Sequence, residues 1–246
     1  MKKTIISCSV LIAFFELLIY YKFLDKAFYP NPIAVFINTW NLLFYDNLAS
    51  ELIPSMYRLW LAFLITLPIA LVTAYFSSHW KFFDNYFNPI IAITFPLPKV
   101  ALYPLMLLIF GIDSTSKIAL IALGMFYLLF INFRIGFKRI TSSAYSDIIK
   151  IYPIKRSAYF GDFLLKGAAQ EIWTGIQIAL NYGLTLVVVS ETTASNNGIG
   201  YFIWKSWDQF KIINVYSGVF ALSGIGFIQY VIFSKLIDRA REKTIS

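Results

Sequence analysis

The residues of this chain that could do chemistry are the ionisable side chains inside or at the edge of apolar runs. Hydrocarbon tolerates a charge only where it meets water, a counter-charge or a transported species. Glu16 and Lys99 lie within such runs, and Glu191 closes one. Lys99 belongs to Pro96-Leu97-Pro98-Lys99, with Pro104 following. Proline withholds a backbone donor, and non-helical backbone at membrane depth persists only where it is buried in protein or lines a wet cavity. Pro96, Pro98, Lys99, Pro104 and Glu191 are therefore candidates to line a pathway, and Lys99 is expected to face water, an acid or an anion. Glu16 reads as a charge turned toward a bundle interior.

Other chemistries lack their parts. A single cysteine, Cys8, and a single histidine, His79, give neither a disulfide framework nor a Cys/His metal cluster, so no metal is expected. Ser217-Gly218 and Ser223-Gly224 would need a base within hydrogen-bond reach to act as nucleophiles, and His79 falls in a different segment. No G-x-x-x-x-G-K-[ST] phosphate loop occurs, so any ATP belongs to another subunit and the chain is read as a transport subunit, not an enzyme. A proton relay would want acids or histidines deep in several spans. An ion-coupled secondary transporter or a membrane scaffold protein is the alternative.

These side chains must be held by a membrane bundle. Of 246 residues, 59% are hydrophobic and 14% charged, against roughly 25% charged in soluble domains. The net charge of +8 lies in short segments between apolar runs, without an aromatic-interleaved basic patch, so it points to topology and not to nucleic acid. The aromatic residues, 19% of the chain, fit packing and interfacial belts.

Apolar runs of spanning length cover Thr4–Leu24, Ser55–Ser77, Tyr86–Ile112 with a break at Pro96 and Pro98, Lys117–Phe137, Ile172–Val189 and Val215–Ile237. The first ends in Tyr20-Tyr21-Lys22-Phe23 and not in small residues, so it reads as an uncleaved anchor. The stretch from Asp25 to Pro54 reads as an external loop with a short interfacial helix, and Glu191 to Asn214 as a polar loop. Arg134, Lys138, Arg139, Lys150, Lys155, Arg156 and Lys166 mark a cytoplasmic loop. The expected architecture is all-α, a polytopic bundle of about six spans with both termini cytoplasmic. An N-terminal anchor and external loop (1–54) precede a core (55–246) that carries the cytoplasmic loop at about 138–171. The last span's Gly218, Gly224 and Gly226 suit close helix packing, and Gly198 and Gly200 suit a tight external turn.

Three ordered blocks carry a resemblance. They are Asn31-Pro32-Ile33-Ala34-Val35 with Ser55-Met56-Tyr57-Arg58; Pro96-Leu97-Pro98-Lys99-Val100-Ala101-Leu102-Tyr103-Pro104-Leu105 with Phe110-Gly111-Ile112 and Ser116-Lys117; and Thr174-Gly175-Ile176 through Glu191 with Gly198-Ile199-Gly200-Tyr201. Together they resemble the permease subunits of binding-protein-dependent ABC importers of the nitrate, sulfonate and taurine type, over about residues 30 to 240.

The resemblance implies an ABC importer permease fold in the bacterial cytoplasmic (inner) membrane. It also implies two copies of an ABC ATP-binding subunit that bind the ATP, a second permease chain forming a homodimer, and an extracytoplasmic solute-binding protein. The solute would be nitrate, a sulfonate, taurine or a related anion, or a pyrimidine or flavin precursor. Such permeases carry a coupling stretch, Glu-Ala-Ala with a later glycine, that docks on the ATP-binding subunit. Here the corresponding residues are Asp147-Ile148-Ile149, with Pro153 in the glycine's place and Leu165-Lys166 where Leu-Pro is usual. Ile148, Ile149 and Tyr152 would face the partner groove, with Asp147 favoured near a helix N-terminus.

Overall fold

The computed structural model describes residues 25, 28–141 and 159–245, and within them the regular structure is helical. The chain enters through α1 (Pro32–Tyr45), whose first turn is capped by Asn31, its Oδ1 accepting from the Ile33 amide at 2.7 Å, with Pro32 at the position where a missing donor costs nothing. α2 (Leu48–His79), α3 (Lys81–Thr94), a 3-10 turn (Lys99–Leu102), α4 (Tyr103–Phe110) and α5 (Ser114–Ile140) follow. A π-helical turn (Tyr159–Leu165) leads into α6 (Ala169–Thr192), α7 (Ile199–Asp208) and α8 (Ile212–Ile245).

α5 is the central post. Its buried residues recur every three or four positions, through Leu120, Ile121, Met125, Leu129, Phe133, Phe137 and Ile140, and it packs between α2 and α6. Gly124 and Gly136 of α5 and Gly175 and Gly183 of α6 let the two helices approach. A Cβ on Gly136 would meet Ala168 and Glu171 Cβ at 2.9 Å, and one on Gly175 would meet Asn132 Cβ at 2.7 Å. α8 lies along α6, α7 and α1, and Asn38 of α1 donates to Asn214 Oδ1 (3.0 Å) and Ser217 Oγ (2.9 Å) beside it.

Among the described residues, four helices, α2, α5, α6 and α8, are long and apolar enough to cross a bilayer; the α3–α4 pair, bent by 93°, makes a fifth as one broken span. That is compatible with about six, since the run Thr4–Leu24 lies outside the described residues. Several boundaries differ from expectation. In the stretch read as an external loop with a short interfacial helix, a short helix is present as α1, and the departure is that the end of the stretch belongs to α2, which continues through Glu51 and Pro54. A proline inside a membrane helix is tolerated when packing and side chains serve the freed carbonyl. The polar loop after Glu191 contains α7. The close-packing glycines sit chiefly on α5 and α6; on α8, Gly218 meets Ile203 of α7, whereas nothing lies within 4 Å of a Cβ on Gly224.

Candidate functional site

At one end of the bundle, three helices and a loop converge on a buried polar knot. Glu191, on the last turn of α6, is wholly buried. Its carboxylate pairs with the buried Arg58 of α2, Nη1 to Oε1 at 2.5 Å, and accepts from Ser55 Oγ at 2.8–2.9 Å. Arg58 also donates through Nε to Ser114 Oγ at the start of α5 (3.3 Å) and through Nη2 to Asn197 Oδ1. The planar guanidinium thus bridges two spans and the loop before α7, a task its fixed fork of donors suits.

The knot also builds the N-terminus of α7, whose first amides have no partner within their own helix. Gly198 N–H donates to Glu51 Oε2 (2.6 Å), Ile199 N–H to Ser55 Oγ (2.8 Å) and Gly200 N–H to Glu191 Oε2 (3.0 Å). Gly198 has φ +113°, a region that favours glycine, and a Cβ on Gly200 would strike the Val188 carbonyl oxygen. Both glycines therefore serve the turn and the close seating of α7 on α6. Beside them, buried Lys117 donates to the Ala194 carbonyl (3.2 Å) and Tyr103 OH to that of Thr193 (3.3 Å).

The broken span has its own internal solution. Lys99 is 4% exposed, and its Nζ donates at 2.9 Å to each of the carbonyls of Thr94, Phe95 and Leu97, with the Tyr127 ring 4.1 Å away. Lys99 was expected to meet water, an acid or an anion. It meets main-chain oxygens and an aromatic face, because Pro96 and Pro98 stop α3 and its end is left short of amide donors; the Thr94 carbonyl accepts from the Leu97 amide at 3.3 Å as well as from Lys99. Pro96, Pro98 and Pro104 are exposed on the surface of the bundle.

The opposite end carries the basic residues. Asp84 of α3 is held by Arg134 (2.8 Å) and Lys138 (2.5 Å) of α5 and by Ser77 Oγ (2.6 Å). Arg139 grips Glu171 of α6 at 2.7 and 3.0 Å and the Gly167 carbonyl at 2.8 Å. Tyr159 OH lies 2.9 Å from His79 Nε2, and His79 stacks on Tyr75 with centroids 4.2 Å apart. Burial, then the nearby Tyr75, push the Tyr159 phenol up. Asp147, Ile148, Ile149, Tyr152 and Pro153 lie outside the described residues, between these two anchored ends.

Glu191 is the sequence candidate that the structure draws into the knot; the break around Lys99 is a separate feature. Arg58, Ser55, Glu51, Lys117 and Asn197 are the members that sequence reasoning missed. The available signal was an arginine inside an apolar run, opposite in charge to the acid closing another.

Residues 66–245 match the family described as the inner membrane component of binding-protein-dependent transport systems. The chain belongs to this family. It is 27% identical over 197 residues to a permease protein assigned to aliphatic sulfonates transport in Bacillus subtilis (strain 168), covering 80% of this chain and 71% of the relative. It is 24% identical over 189 residues to a nitrate import permease protein of Synechococcus elongatus (73% and 67% covered). With a taurine transport system permease protein of Escherichia coli (strain K12) it shares 28% identity over 184 residues, 75% of this chain and 65% of the relative. The protein is thus a multi-pass inner-membrane permease of the nitrate, sulfonate and taurine type.

Proposed function

We propose that this permease forms the translocation pathway of an ATP-driven importer for a small solute, taken from an extracytoplasmic binding protein and driven by separate ATP-binding subunits. ATP binds the partners, two copies of the ATP-binding subunit, and the pathway forms with a second, identical permease chain. Both termini are cytoplasmic. The sulfonate, nitrate and taurine relatives favour a small anion, with a pyrimidine or flavin precursor as the wider class.

One observation carries this reading. α2 and α6 each join the knot at one end to the anchored feet of segment 142–158 at the other: α2 through Ser55, Arg58 and His79, α6 through Glu171 and Glu191. Over such lengths an α-helix spans on the order of 30 Å, the thickness of the hydrocarbon. A push on the segment that contains Asp147, Ile148, Ile149, Tyr152 and Pro153 is passed by stiff struts to the outer end. That is what alternating access between two arrangements requires. Around the break, Pro96, Pro98, Lys99 and Pro104 border the path, and Glu191 holds its outer end.

The deciding experiment is affinity purification from native membranes in mild detergent, with mass spectrometry of what accompanies the chain, for the natural sequence and for Asp147→Arg. Co-purification of an ATP-binding-cassette subunit that is lost on the substitution is the expected result. Absence of any such ATPase across several detergents and crosslinkers would overturn the coupling and bring an ion-coupled carrier to the front.

A further inference from the structure

The α6–α8 seam carries a row of polar side chains of which the fold uses one, Gln177, whose Nε2 donates to the Tyr230 carbonyl of α8 at 3.5 Å. Gln177, Asn181 and Thr185 recur at every fourth position along α6 and so lie along one face. Asn181 and Thr185 are exposed, and their side chains make no hydrogen bond among the described residues. Asn181 lies midway between Glu171 and Glu191, about 15 Å of helix from each, which is the middle of a bilayer about 30 Å thick. An amide facing lipid there would forgo all of its hydrogen bonds, at a cost of several kcal/mol.

Across the seam, α8 presents Ser223, also exposed, whose hydroxyl donates to the Val219 carbonyl at 2.8 Å and leaves its lone pairs outward. Asn181, Thr185 and Ser223 line a concavity of about 400 Å³ with Leu184, Phe227 and Tyr230. That volume falls within the range of small-molecule sites, roughly 300–1,000 Å³, and the lining has their character: apolar walls with a few convergent polar groups. Next to Tyr230 in the chain, Gln229 is buried with its Oε1 unpartnered among the described residues.

We propose that Asn181, Thr185 and Ser223 form a mid-depth station for the permeating solute, holding a small oxyanion or zwitterion by neutral dipoles. This rests on the importer reading above. The lining carries no charged side chain. The Asn181 amide N–H and the Thr185 hydroxyl can replace part of an oxyanion's hydration, and the Ser223 oxygen, its proton committed to Val219, can accept from the ammonium of a zwitterion, all without the deep trap that a fixed cation would set; a pathway site must release what it binds. Lys99 and Arg58, the cations a charge-based search would choose, are already committed to main-chain carbonyls and to Glu191.

The test uses the complete transporter in proteoliposomes, with Cys8→Ala as background and single changes Asn181→Cys, Thr185→Cys and Ser223→Cys. The controls are Ile65→Cys and Ile69→Cys at exposed apolar positions in the middle of α2. A charged, membrane-impermeant methanethiosulfonate should modify the three seam thiols about tenfold or more faster than the controls, since only a wet site supplies thiolate and reagent. Added ethanesulfonate or nitrate should slow that modification at the seam alone. Equal, slow labelling at all five positions would overturn the proposal. So would ready oxidation of Asn181→Cys to a disulfide between two copies without labelling, which would make the seam a contact between permease chains. Labelling is read independently of ATPase co-purification, so failure of the importer reading and failure of this site give different results.

Discussion

Arg58 and Glu191 are charges taken out of water together, and what holds each is largely the other. Removing one member of such a pair leaves its partner buried and uncompensated, which costs about 3–5 kcal/mol. Glu191→Gln strands the guanidinium, and Arg58→Met strands the carboxylate. Each should lower the thermal midpoint in detergent, and the double variant should lose clearly less than the sum of the two. Strictly additive losses would show that the groups are not coupled. Lys99 is a different case, a cation used as a backbone cap. Lys99→Met should cost about 1–3 kcal/mol, the scale of buried acceptors left without donors, read as a loss of midpoint. An unchanged midpoint would mean that the break at Pro96 and Pro98 holds without its cap.

At the scale of elements, contact between helices depends on a few places without side chains. α7 sits on α6 where a Cβ at Gly200 would collide with the Val188 carbonyl oxygen and come within 2.8 Å of Glu191 Cβ; neither atom is the free end of a flexible chain. Gly200→Ala should therefore cost about 1–3 kcal/mol by overpacking and should loosen the knot with it. Gly224 on α8 meets nothing within 4 Å. Gly224→Ala should be neutral, or stabilising by about 0.4–1 kcal/mol through the unfolded chain. Paired melting curves check both, and the idea fails if the two substitutions behave alike.

At the scale of the molecule, the basic end, with Lys81, Arg134, Lys138 and Arg139, and the knot end are predicted to face opposite sides of the membrane. On a Cys8→Ala background, Asp208→Cys should react with an impermeant maleimide from the outer side of spheroplasts, while exposed Lys81→Cys should react only after permeabilisation. The reverse pattern would invert the molecule and remove the basis for calling segment 142–158 cytoplasmic. The two ends are tied by α2 and α6, so variants that loosen the knot should lower transport more than they lower co-purification of the ATP-binding subunit.

Composition, the lengths of the apolar runs and the placement of lysine and arginine were enough, from sequence alone, for the class of molecule, nearly all of its spans and the broken helix at Pro96 and Pro98, because lipid judges each helix by its own length and polarity. The ends of helices were less legible. Glu51 and Pro54 read as loop, yet α2 runs through them, with Glu51 capping α7 from its outer end. What each charge does was decided only by the tertiary structure. Glu191 finds Arg58 at a separation of 133 residues, Lys99 turns back onto its own main chain, and Asn181 and Thr185 are left facing outward. Those outcomes depend on how each helix is rotated about its axis against its neighbours, and that rotation is set by the packing of α2, α5 and α6 together and not by any one of their sequences.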